Sequence, residues 1–181
     1  MTLLGVVLAG GRSVRFGSDK AMAELHGRSL LSHAIDILAT VCDDVVIAGH
    51  DRGIPGRTTV PDVPRNDLGP LGGLCGALRH AERLGYDALL SIGCDTPRLD
   101  RAVIERLLGE AGPGYLADAP IIGHWPIALA RPLLAHLETS EDLSIRRWAD
   151  TTGARVIRAG VPIPNLNRPE DLDALRISER D

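Results

Sequence analysis

Aromatic side chains are nearly missing from this sequence, with one Phe, two Trp and two Tyr among 181 residues. Single-stranded nucleic acids are held on rows of stacked aromatics, and phosphate backbones on a basic excess. Neither is present, since 20 Lys and Arg face 24 Asp and Glu for a formal net charge of −4, so no nucleic-acid partner is expected. Cysteine is equally sparse: Cys42, Cys75 and Cys94 are widely spaced and form no C-x-x-C pair. That argues against a disulfide framework or a cysteine-based zinc site and suits a reduced, cytoplasmic setting. Long apolar runs are lacking as well. Residues 3–9 are too few for a membrane span and follow no basic segment of a signal peptide, so no membrane anchor is expected.

What the sequence does contain is aliphatic and glycine-rich. Hydrophobic residues make up 44% of it, and glycine (20) and proline (12) are frequent against a usual ~7% and ~5%. A chain of this length buries roughly 70% of its unfolded surface, which predicts a single domain over residues 1–181. Leu3 to Ala9 reads as a strand buried on both faces, as parallel strands are. Leu30, Leu31, Ala34, Ile35, Leu38 and Val41 recur at helical spacing, which predicts a helix over 29–42 with Ser29 as its cap. Further strands are predicted at 44–48, 58–60, 88–93, 115–118, 127–130 and 155–157. Helices are predicted at 71–84, 101–108, 131–137, 144–151 and 169–175. The alternation predicts an α/β, Rossmann-like domain, with a mostly parallel sheet and helices on both faces. In such sheets ligands bind beyond the carboxyl ends of the strands, at residues 9–20, 62–76, 94–97 and 165–167 here.

The loop after the first strand reads Leu8-Ala9-Gly10-Gly11-Arg12-Ser13-Val14-Arg15-Phe16-Gly17-Ser18-Asp19-Lys20. It matches neither G-x-G-x-x-G nor G-x-x-x-x-G-K-[ST]. A lone di-glycine with nearby basic residues is as a rule only a turn. Arg15 and Lys20 in one strand-following loop favour a different phosphate site, in which glycine N–H groups approach an anion and two cations neutralise it. Asp95, in Cys94-Asp95-Thr96-Pro97 after another predicted strand, is either a turn cap or a hard oxygen ligand of the kind Mg²⁺ takes along with phosphate oxygens. Cys94 has no neighbouring histidine and reads as a packing residue. His26, His33, His80 and His136 show no metal spacing and read as surface or helix residues.

The first loop resembles the signature of nucleotidyltransferases that act on the molybdenum cofactor, approximately L-A-G-G-x-S-x-R-x-G-x-D-K. Leu8, Ala9, Gly10, Gly11, Ser13, Arg15, Gly17, Asp19 and Lys20 all match, and the second glycine favours the guanylyltransferase branch over the cytidylyltransferases. The resemblance runs from Leu8 to Leu172. It implies an Mg²⁺-dependent transfer of GMP from GTP to molybdenum-bound (or metal-free) molybdopterin, forming molybdopterin guanine dinucleotide and pyrophosphate. It further implies that Leu8, Ala9, Gly10, Gly11, Lys20, Asp62 and Asp95 bind the nucleotide and that Asp95 holds the metal, with Asp62 as a second carboxylate. Arg15, Lys20 and Asp95 would serve catalysis. Val60-Pro61-Asp62 and Leu68-Gly69-Pro70-Leu71-Gly72-Gly73-Leu74 resemble the family's E-D and G-P-L-A-G segments. Gly72, Gly73 and Gly76 line a second loop facing the first or lighten a helix packed on the sheet.

His124-Trp125-Pro126-Ile127-Ala128-Leu129 and Asn165-Leu166-Asn167-Arg168-Pro169-Glu170-Asp171-Leu172 resemble segments on the pterin side, which implies pterin contacts by His124, Asn165 and Asn167. Trp125 is open between packing and ligand contact, and Asn167 between ligand contact and starting the last helix. The family often has Asn near the base where this chain has Ala48-Gly49-His50. The expected protein is a monomer with transient contacts to molybdoenzyme maturation proteins. Other readings are a cytidylyltransferase or another nucleotidyltransferase of the same fold, or a carrier that holds the finished dinucleotide without making it.

Overall fold

The apolar run after Thr2 forms strand β1 (Leu3–Leu8), buried along its whole length at the centre of a sheet. The computed structural model describes residues 1–10, 19–166 and 168–177. A 3₁₀ turn (Lys20–Met22) and a hairpin of β2 (Glu24–Leu25) and β3 (Arg28–Ser29) precede helix α1 (Leu30–Ala39), whose start is capped by the Ser29 hydroxyl accepting from the Ser32 N–H at 3.1 Å. Strands β4 (Asp44–Ala48) and β5 (Thr58–Val60) follow, then the long helix α2 (Gly69–Leu84) and strand β6 (Ala88–Gly93). The second half contains α3 (Arg101–Leu108), β7 (Gly114–Leu116), β8 (Ala119–Pro126), α4 (Ala130–Thr139), α5 (Ile145–Thr151), β9 (Arg155–Ile157) and α6 (Pro169–Ile177).

Seven strands form one sheet in the order β5-β4-β1-β6-β8-β7-β9. The ladders β5/β4, β4/β1, β1/β6 and β7/β9 are parallel, while β8 runs antiparallel to both its neighbours. The α/β architecture is therefore as expected, mostly parallel with helices on both faces. One face buries α1, α3 and Leu172 and Leu175 of α6, and the other buries α2, α4 and α5.

One element departs from the expectation. The strand predicted over 127–130 lies earlier, at Ala119–Pro126, and Ile127–Leu129 form a 3₁₀ turn leading into α4. The apolar alternation of β8 is interrupted by His124 and Gly123, and its terminal Pro126 reads as a breaker. Proline is nonetheless tolerated at a strand end, and here it lies opposite Ala88 at the start of β6. Gly123 is needed because a side chain there would occupy the volume of the Trp125 ring. Trp125 is fully buried, donates to the Ser91 hydroxyl at 2.9 Å and stacks at a tilt against Trp148 with centroids 5.2 Å apart. Its open role is thereby resolved as packing. No helix among the described residues is long and apolar enough to cross a membrane.

Candidate active site

The register of the parallel strands aligns four exits along one edge. Leu8 lies beside Ala48 on one side and Gly93 on the other, and Ala48 lies beside Val60. The chain leaves β1 toward β4 and returns through α2 to β6 on the opposite side of β1. That reversal opens the crevice where open α/β sheets bind ligands. The segments that emerge there carry Gly10, Gly49 and His50, Asp62, and Asp95.

Close approach of the first two loops depends on Gly49. Its φ is 127°, and a Cβ there would lie 2.8 Å from the Gly10 nitrogen, so any side chain would push the loops apart. Ala48, the last residue of β4, is buried, so no polar side chain projects from that position. A cleft of about 550 Å³ is lined by Gly10, Gly49, His50, Asp62, Asn66 and Asp67, among others, within the usual range of small-molecule sites. An adjoining recess of about 40 Å³ has aliphatic walls from Leu8, Ala48 and Ile121 and shares Gly10, Asp62 and Gly69 with the cleft.

Asp62 is half-buried at this end. Burial and the neighbouring Asp67 carboxylate push its carboxyl above the ordinary value, partly offset by His50. Its place is set by helix packing. A Cβ on Gly72 would lie 3.1 Å from the Asp62 side chain, and one on Gly76 would run into the Pro61 carbonyl. Gly72, Gly73 and Gly76 thus sit inside α2 rather than in a second loop, and their smallness lets the helix settle against the Pro61–Asp62 turn. Among them only Gly73 borders the recess. The N-terminus of α2 has no side-chain cap, and Gly69 at its start lines the cleft, which places the positive end of a helix dipole beside it.

Lys20 and Asp95 meet at the β6 exit. The Lys20 Nζ lies 3.2 Å from Asp95 Oδ2, with the two side chains 15% and 21% exposed. Asp95 Oδ1 is buried, has no hydrogen-bond partner among the described residues and lies against Gly93, where a side chain would displace it. An orphaned carboxylate oxygen is costly unless something else occupies it, and a hard cation is a fitting occupant. Among the described residues no group of three or more His, Cys, Asp or Glu side chains could hold a metal. Mg²⁺ does not require one, because phosphate oxygens and waters complete its shell. Burial and the Asp95 charge push the Cys94 thiol up to about 11, so it is inert as a nucleophile.

Gly11 and Arg15 of the first loop, and Asn167 of the tail, lie outside the described residues. Asn165 is exposed, and the tail is anchored next to it by the buried Leu166, whose N–H donates to the Asp95 carbonyl at 2.9 Å. His124 is only 4% exposed, and its Nδ1 donates to the Gly112 carbonyl at 3.0 Å. It pairs with Leu90 inside the sheet, three residues short of the β6 edge, so it is not brought into the cleft.

Sequence motifs miss Arg52 entirely. Its Nε and Nη2 donate to Asp19 Oδ2 and Oδ1 at 2.7 and 3.0 Å, Nη2 also to the Ala9 carbonyl at 3.0 Å, and Nη1 to the His50 carbonyl at 3.0 Å. The guanidinium holds the Asp19 carboxyl below its ordinary value. An arginine shortly after a strand end was the one available signal, and nothing in local spacing connects it to a residue 33 positions earlier.

Residues 5–160 match the family described as the MobA-like NTP transferase domain. The chain is 35% identical over 187 residues to a molybdenum cofactor guanylyltransferase of Cereibacter sphaeroides, covering 95% of this chain and 94% of that protein. Its fold resembles molybdopterin-guanine dinucleotide biosynthesis protein A of Archaeoglobus fulgidus, with a TM-score of 0.78, 18% identity and coverage of 99% and 100% of the two chains. It also resembles the 2-C-methyl-D-erythritol 4-phosphate cytidylyltransferase of Thermus thermophilus, with a TM-score of 0.74, 15% identity and full coverage of both chains. Given a family match over most of its length and a relative more than one-third identical nearly end to end, this chain belongs to the MobA-like NTP transferases.

Proposed function

We propose that this chain is a molybdenum cofactor guanylyltransferase, which transfers GMP from GTP to molybdopterin and releases pyrophosphate. The observation that carries the reading is the juxtaposition of Lys20 with an Asp95 carboxylate whose second oxygen has no partner among the described residues, at the strand edge of a chain so similar to the guanylyltransferase of C. sphaeroides. A protein that only held a finished dinucleotide would have no departing pyrophosphate for Lys20 to neutralise.

The row of strand exits divides the labour. Asp62 stands over β5 and Asp95 over β6, three strand spacings apart or roughly 14 Å along the row. The Asp62 end receives the base: its carboxylate accepts from the paired N–H donors on the guanine edge, and the aliphatic recess takes the ring face. The Lys20–Asp95 end receives the phosphates. There Asp95 would hold Mg²⁺, which when bound draws charge from the phosphate oxygens. Lys20 supplies a cation to the oxygens that gain charge as the terminal phosphate of the pterin attacks the α-phosphorus and pyrophosphate departs. Arg15 is assigned to the same phosphates, and Gly10 and Gly11 to their backbone cradle. Positioning and charge stabilisation thus account for catalysis without a covalent intermediate. Asn165, beside the Leu166 anchor to Asp95, and Asn167 are assigned to the pterin side.

Incubation of the purified protein with Mg²⁺, molybdopterin and each nucleoside triphosphate in turn, followed by mass analysis of the product, tests the reading. A guanine dinucleotide formed with GTP is expected, and product with CTP alone would overturn the choice of base.

A further inference from the structure

The guanidinium of Arg52 uses four of its five N–H groups inside the protein: one from Nε, one from Nη1 and both from Nη2. Its side chain is only 9% exposed. An arginine meant to grip a triphosphate directly would keep its fork of donors free for the ligand. This one spends it on three pieces of backbone and side chain: the Ala9 carbonyl at the β1 exit, the carbonyl of His50, which lines the cleft after β4, and the carboxylate of Asp19. Asp19 in turn caps the 3₁₀ turn of Lys20–Met22, accepting from the Ala21 N–H at 3.2 Å. Lys20 is the first residue of that turn, and its Nζ reaches Asp95.

We propose that Arg52 is a positioning residue of the nucleotide site: by locking Asp19 in a bidentate pair and tying it to Ala9 and His50, it fixes the turn that presents Lys20 to Asp95 and to the phosphates. The inference rests on the reading of this cleft as a nucleoside triphosphate site. The guanidinium's planar geometry matters more than its charge, because two parallel bonds to one carboxylate and two further bonds to carbonyls in different loops cannot be reproduced by an ammonium group.

The test measures GTP binding in the presence of Mg²⁺ by calorimetry, together with kcat and KM, for Arg52→Gln, Arg52→Lys, Asp19→Asn, Lys20→Ala and the Arg52→Gln/Lys20→Ala double variant. Loss of a supporting partner that orients a reacting group costs about tenfold or more. Arg52→Gln is therefore expected to lower kcat/KM by about that factor, beyond any loss of melting temperature from its four broken bonds, and Arg52→Lys to fall nearly as far. Adding Arg52→Gln to Lys20→Ala is expected to cost nothing further. Asp19→Asn cuts the same link from the other side and decides the matter if the Arg52 variants fold poorly. Recovery of wild-type kinetics by Arg52→Lys, a double variant that loses the same factor again, or variants whose only change is a lower melting temperature would each overturn the proposal. Failure of the wild-type protein to bind or turn over GTP would instead overturn the nucleotide reading, so the two failures are distinguishable.

Discussion

Asparagine in place of Asp95 separates the chemistry of this carboxylate from its contribution to the fold. The Lys20 contact at 3.2 Å joins two side chains that retain some solvent exposure, and such partly screened pairs stabilise by up to about 1 kcal/mol. Its loss is opposed by a second effect. Asp95 Oδ1 is buried without a partner among the described residues, and an orphaned buried polar atom costs about 1–3 kcal/mol, more when charged. A neutral amide relieves part of that cost. The net change in unfolding free energy therefore lies between a loss of about 1 and a gain of about 2 kcal/mol. For a domain of this size that is a shift in melting temperature from about −4 to +8 °C. Turnover, in contrast, should fall by about a hundredfold or more, the usual consequence of removing one preorganised electrostatic group. Ligand-induced stabilisation gives a second readout. GTP with Mg²⁺ at a hundred times its dissociation constant stabilises by about 2.7 kcal/mol, or about 5–11 °C here, and Asp95→Asn should lose most of that rise. Differential scanning fluorimetry with and without GTP and Mg²⁺, alongside a pyrophosphate-release assay, measures all three quantities. Full turnover, or a melting temperature lowered by more than about 8 °C, would contradict the role assigned to Asp95.

Three further outcomes are expected. Asp62 has its carboxyl pushed up by burial and by Asp67, so the native state keeps this proton to higher pH than the unfolded chain. Stability then falls as pH rises from the ordinary 3.8 through the native value; Asp62→Asn should be more stable than wild type at neutral pH, converge with it in acid and bind GTP more weakly, as thermal melts across pH and calorimetry would show. Burial of His124 lowers its pKa from 6.5, against the pull of the Gly112 carbonyl. Its contribution is intact above the unfolded value and is lost as pH falls below it, so the melting temperature of His124→Gln should decline less than that of wild type on acidification. Ser91→Ala leaves the buried Trp125 N–H without its acceptor, and should cost about 1–3 kcal/mol in chemical denaturation with GTP affinity unchanged; an unaltered midpoint would contradict the packing role given to Trp125.

Local pattern and tertiary structure contributed different parts of this picture. Unbroken apolar runs mark β1 and β6 because a parallel strand covered on both faces must be apolar throughout, and the Ser29 cap marks α1 because its hydroxyl satisfies an N–H only three residues away. Lys20 and Asp95 were also legible, since each follows such a strand and strand exits are where these sheets bind ligands. The identity of β8 was not, because its only regular partners, β6 and β7, and the glycine that admits Trp125 are tertiary facts. The same holds for the withdrawal of His124 from the cleft, for the glycines of α2 as seats for the Pro61–Asp62 turn, and for the four bonds of Arg52. Sequence alone determined which residue types are offered at each strand end, because that depends on periodicity over a few neighbours. Only the folded chain decided which of them meet, because Arg52 and Asp19, or Lys20 and Asp95, are joined by strand register across the sheet and by no spacing along the chain.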